Sequence, residues 1–172
     1  MQKTIIVNPA AREGWESAWD QKEKEMYFEK QGETHLLSHN IWSAKFNMTG
    51  ARTDLVLIDP TYEIAIDPTD KKYQSGKGLL LTEWKVCRDP QTASKLIDDA
   101  IDQASKYLNP HLSRFEFVKL CYIVIVSEDA IEVGPSNRFD KDINFRIINI
   151  ACKPQCPSKK SSKPPPLLGA FC

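Results

Sequence analysis

The run Leu120-Cys121-Tyr122-Ile123-Val124-Ile125-Val126 is the strongest constraint on what this chain can fold into. It is far shorter than the roughly 18 apolar residues of a membrane span. It is rich in β-branched residues and has no polar alternation that would mark a solvent-facing side. Such a run is a strand buried on both faces, flanked by other strands and covered by helices above and below. The extended segment, Phe115 to Val126, therefore predicts an α/β fold with a mixed central β-sheet flanked by helices.

The remaining segments supply the partners. Thr53 to Ile58 and Leu79 to Val86 read as strands, the first stopped by Asp59-Pro60. Ile143 to Ile150 reads as the last strand. Shorter β-like pieces are Thr4 to Val7, stopped by Asn8-Pro9, then Ile41 to Phe46, and Tyr62 to Ile66. Residues 11 to about 31 read as one helix with Trp15, Trp19 and Met26 near one face, interrupted by Gly32. Asp89-Pro90 has the chemistry of a helix start, with Asp89 as N-cap and Pro90 at the first position. Leu96, Ile97, Ala100, Ile101, Ala104 and Leu108 then follow at helical spacing, up to Asn109-Pro110. Residues 67 to 78 and 127 to 142 read as loops.

With 172 residues, one domain suffices, and it buries enough surface to fold without disulfides. That domain is assigned to residues 1–151. Residues 152–172 form a tail dominated by Pro, Ser and Lys, a composition that cannot bury a core. Twenty-three basic residues balance 23 acidic ones, so there is no global basic field for coating nucleic acid, although a local groove remains open. Five cysteines without framework spacing fit reduced thiols, and the chain reads as a cytoplasmic protein.

Glu83 and Lys85 lie two apart on one strand, so their side chains leave the same face, opposite Trp84. After Leu79-Leu80-Leu81, a carboxylate and an ammonium carry a desolvation cost unless they pair or bind something. A solvated pair on an edge strand satisfies that requirement, and so does a divalent cation. Asp54 stands near the start of the preceding strand, where antiparallel pairing would bring it near Glu83. Two such carboxylates offer hard oxygen ligands to Mg²⁺ or Mn²⁺. Lys85 would then orient or activate a water, or stabilise developing charge. On its own, Asp54 also fits a turn residue at a strand entry.

Asp54 followed by Glu83-Trp84-Lys85 resembles the Asp…(Asp/Glu)-x-Lys pattern of the PD-(D/E)XK nuclease superfamily. Gln103 and Tyr107, four apart on the following helix, resemble the Gln-x-x-x-Tyr motif of its recombination-type and CRISPR-associated members. The resemblance covers roughly residues 11 to 126. It implies a restriction-endonuclease-like core of order α-β-β-β-α-β, binding of Mg²⁺ or Mn²⁺, and endo- or exonucleolytic hydrolysis of DNA, with RNA as the other substrate open to the same chemistry. It implies a metal held by Asp54 and Glu83, and often by a glutamate of the first helix. Glu25 and Glu29 are the candidates by position, with Glu23 a third. The stretch from Asp59 to Gly78 departs from the family's tight hairpin and makes Asp67 and Asp70 alternative ligands. A homodimer would be required for a double-strand cut by one site per chain. The alternative expectation is a catalytically inactive domain of the same fold that binds nucleic acid or a protein partner.

Two other constellations stand apart. His35 and His39 have helical metal-ligand spacing but lack a supporting third ligand. Cys152, Cys156 and Cys172 resemble the cysteines that hold an iron–sulfur cluster in some family relatives; they fit free thiols in a tail equally well.

Overall fold

The computed structural model describes residues 1–45, 47–48, 51–58, 77–107, 116–140 and 142–154. Three helices come first: α1 (Gln2–Val7), α2 (Pro9–Trp19) and α3 (Lys24–Ser38). Short strands β1 (Trp42–Ala44), β2 (Asn47–Met48), β3 (Ala51–Arg52) and β4 (Val56–Ile58) precede the long β5 (Lys77–Cys87). A 3-10 turn over Pro90–Thr92 leads into α4 (Ala93–Lys106), followed by β6 (Glu116–Ser127), β7 (Asn137–Asp140) and β8 (Ile143–Ala151).

The main sheet is mixed, in the order β1-β4-β5-β6-β8-β7. Strands β5, β6 and β8 run parallel at its centre, and β4 joins β5 antiparallel. Strand β6 lies in the middle of the sheet, as its unbroken apolar run requires. Side chains of the central strands alternate between two cores. Leu79, Leu81, Cys121, Ile123, Ile125, Phe145 and Ile147 pack under Ile97, Ala100 and Ala104 of α4. Trp84, Val124, Val126 and Ile150 face Ile5 of α1, Trp15 and Trp19 of α2, and Phe28 of α3. The Trp15 and Phe28 rings stack at 5.4 Å. Cys152 is buried in this second core.

The chain departs from the sequence expectation in several places. Thr4–Val7 is helical rather than extended. Ile5 is buried, and the Arg12 guanidinium donates to the Ile5 and Ile6 carbonyls at 3.2 and 2.7 Å, so packing and capping override the local β preference. Asn8 ends α1 and caps α2, its Oδ1 accepting from the Ala10 and Ala11 amides, with Pro9 at the first helical position. The helix expected over 11–31 is two helices, broken at residues 20–23 so that Trp15, Trp19 and Phe28 can converge. Gly32 does not interrupt α3. A Cβ there would lie 2.6 Å from Trp84 Cζ2, so glycine lets the helix settle onto the sheet. Finally, the loop expected over 127–142 contains β7, which pairs antiparallel with β8.

Asp89 caps the turn before α4 as expected, its Oδ1 accepting from the Gln91 amide at 3.0 Å. The expected strand at Tyr62–Ile66, Asp67, Asp70, and the tail with Cys156 and Cys172 lie outside the described residues. Among the described residues, no helix is long and apolar enough to cross a membrane.

Candidate active site

The site lies where β4 separates from β5. The strands pair Val56 with Leu81, and continuing that register outward sets Asp54 opposite Glu83. The ladder itself changes there. The Thr82 amide still donates to the Leu55 carbonyl at 2.9 Å, but the next β5 amide, that of Trp84, donates to Asp54 Oδ2 at 2.7 Å. A side-chain carboxylate thus replaces a strand carbonyl, and the fork opens at that point. The strand expected from Thr53 accordingly begins at Val56, with Asp54 in a bend.

Glu83 is fully buried on the α4 side of β5, so it is not the solvated edge pair that its motif alone also allows. Its Oε1 accepts from Lys85 Nζ at 2.7 Å, while its Oε2 is buried without a hydrogen-bond partner among the described residues. Burial pushes the Glu83 carboxyl up to about 8; the Asp54 charge adds to this, Lys85 opposes it, and Glu25 adds a smaller upward push. Glu83 therefore takes up a proton far more readily than an ordinary carboxyl. Burial pulls the Lys85 ammonium down, but Glu83 and Glu25 outweigh it and raise its pKa, so Lys85 stays charged.

Helix α3 brings two more acids. Glu25 and Glu29 are one turn apart and share a face. One oxygen from each lies within 4.8 Å of the others and of an Asp54 oxygen. Glu29 is 4% exposed. Lys85 Nζ also reaches Glu25 Oε1 at 3.1 Å, and the Lys45 ammonium pairs with Glu29. Glu83, Glu25 and Glu29 therefore meet two lysines, while Asp54 accepts from the Trp84 amide. Glu23 lines the adjoining cleft but lies outside the three-acid cluster.

That cleft has a volume of about 660 Å³, and Asp54, Glu25, Glu29 and Gln103 are among its walls. Gln103 Nε2 donates to the Tyr107 hydroxyl at 2.8 Å, which ties the two together on α4. Tyr107 also packs against the α4 core. Asp54, Glu83, Lys85, Glu25, Glu29 and Gln103 thus come to one end of the sheet. Sequence reasoning missed Lys45, which stands beyond β1 in no motif; its only signal is one cation between two apolar neighbours.

The donors suit a hard divalent cation. They are carboxylates only, and Glu83 Oε2, outside the three-acid cluster, has no hydrogen-bond partner among the described residues. Octahedral ligands at about 2.1 Å from an ion sit about 3.0 Å apart when adjacent and about 4.2 Å when opposite, close to the spacing of the three acids. Elsewhere, His35 and His39 form an edge-on ring pair at 4.7 Å beside a second, mainly apolar cavity.

No family model matches the chain, and no curated protein and no solved structure matches it.

Proposed function

We propose that this chain is a divalent-metal-dependent nuclease related to the PD-(D/E)XK superfamily, hydrolysing phosphodiester bonds of DNA. One observation carries the reading. Glu83 is completely buried with an unpartnered oxygen, yet it adjoins Asp54 and a cluster of acids at a polar cleft. A purely structural strand has no use for so costly a group. Asp54 and Glu83, with Glu25 and Glu29, would hold Mg²⁺ or Mn²⁺. When bound, the ion supplies Lewis-acid polarisation of a phosphate and a bound water of lowered pKa. Glu83 would serve as a ligand in its ionised form, which a bound cation would favour over the protonated one. Lys85, freed from Glu83, would direct its ammonium to the attacking water or to the charge that develops on phosphate. Gln103 borders the cleft where substrate enters, and Tyr107 fixes its amide.

Metal-dependent cleavage of plasmid and oligonucleotide DNA tests the reading. Glu83→Ala and Lys85→Ala should each lose about a hundredfold or more in rate, the scale of a missing acid–base group. Equal cleavage by wild type and variants refutes the site assignment.

A second reading has its own support. The pairs Lys85–Glu83, Lys85–Glu25 and Lys45–Glu29 offset part of the acidic charge without any ion. A non-catalytic domain that binds nucleic acid or a protein would look the same. Calorimetry with Mn²⁺ separates the two: no heat at millimolar metal, with the fold intact, favours the non-catalytic reading.

A further inference from the structure

The cations around the cleft fall into two sets. Lys45 and Lys85 pair with its carboxylates. Lys22, Lys24 and Arg88 line the same cleft and form no ion pair among the described residues. Lys22 and Lys24 come from the junction of α2 and α3, and Arg88 follows β5, so they enter from two different elements. Lys24 is held in place, its ammonium 4.7 Å from the centre of the Trp19 ring.

Among the described residues, Lys22, Lys24, Arg88 and the paired Lys45 and Lys85 stand against the carboxyl groups of Glu23, Glu25, Glu29, Asp54 and Glu83. The metal-free cleft is therefore close to neutral and holds phosphate weakly, and one bound divalent ion would make it net positive. We infer that Lys22, Lys24 and Arg88 form a clamp for the phosphodiester backbone of a DNA strand, closed electrostatically by metal binding at the cleft floor. This rests on the nuclease reading and adds a substrate-holding surface to it. The scissile phosphate sits over the carboxylates while its neighbours meet Lys22 and Lys24 on one side and Arg88 on the other. Metal and DNA then favour each other's binding by the same factor.

The test is fluorescence anisotropy of a labelled single-stranded oligonucleotide, with Ca²⁺ or EDTA, across a range of NaCl. Wild type is expected to bind at least about tenfold more tightly with Ca²⁺ than with EDTA. Combined Lys22→Gln, Lys24→Gln and Arg88→Gln should flatten the slope of log affinity against log salt by about two, since each single-strand phosphate contact contributes about 0.7. Calorimetric Mn²⁺ affinity should not fall, because these side chains are not among the carboxylate donors. If wild type cleaves DNA but the triple variant keeps the same slope and KM, the clamp is wrong and the nuclease reading survives. If wild type binds DNA in a Ca²⁺-dependent way with the expected slope change but never cleaves, the clamp stands and the catalytic reading falls. Absence of DNA binding by the wild type in either condition overturns the clamp.

Discussion

Replacing Glu83 by Gln should stabilise the metal-free protein at neutral pH while removing function. Glu83 has a folded pKa of about 8 against an ordinary 4.5. A raised folded pKa gives stability that is complete below the unfolded value and is lost as pH rises toward the folded value. The loss per pH unit is about 1.4 kcal/mol between those limits. From pH 4.5 to pH 7 it reaches about 3 kcal/mol, and it levels off near about 5 kcal/mol above pH 8. Gln is neutral throughout and keeps a carbonyl for Lys85 Nζ. The difference in unfolding free energy, variant minus wild type, should therefore grow by about 3 kcal/mol between pH 5 and pH 7.5. Urea unfolding in EDTA, followed by the fluorescence of the buried Trp15, Trp19 and Trp84, measures it, and taking the difference cancels the titration of every other group. A difference that stays flat over this range would refute a buried, proton-holding Glu83. A difference that shrinks with rising pH would mean that Lys85 keeps the carboxylate ionised.

Three further outcomes follow from the same geometry. Asp54→Asn keeps an oxygen acceptor for the Trp84 amide, so it should remain folded yet bind Mn²⁺ at least about tenfold more weakly in calorimetry, whereas Asp54→Ala should also cost about 1–3 kcal/mol in urea unfolding by orphaning that amide. Lys45→Met leaves the nearly buried Glu29 without its cation and should destabilise the metal-free chain by about 3 kcal/mol, with Mn²⁺ raising Tm more in the variant than in wild type. Gly32→Ala forces a methyl into the Trp84 ring and should lower stability by about 2 kcal/mol in thermal unfolding, although alanine is the better helix former.

The parts that the sequence made legible are those where one physical signal dominates. Strand β6 follows from its unbroken apolar run, and α4 from Asp89-Pro90 and its periodic apolar face. That β4 and β5 pair antiparallel is legible from their apolar patterns, but the register that sets Asp54 opposite Glu83 is seen only in the structure. Other features lay in tertiary contacts. Thr4-Ile5-Ile6-Val7 has strand-like residues but is helical because Arg12 and the core hold it so. Gly32 reads as a breaker until Trp84 is known to lie against it. The long residue 11–31 pattern hides its break because residues 20–23 contain neither Gly nor Pro. Lys45 could not be picked out, since its role depends on Glu29, 16 positions away and on another element.

The contact between Asp54 and the Trp84 amide has a consequence for how this protein is made. Side chains of a strand change faces with every step, so a pairing of β4 with β5 that slipped by one residue would put the Trp84 indole where Glu83 and Lys85 belong. It would also leave Asp54 opposite the wrong amide. The acid that borders the cleft is thus also a checkpoint on strand alignment, and the carboxylate cluster assembles only in chains that have passed it.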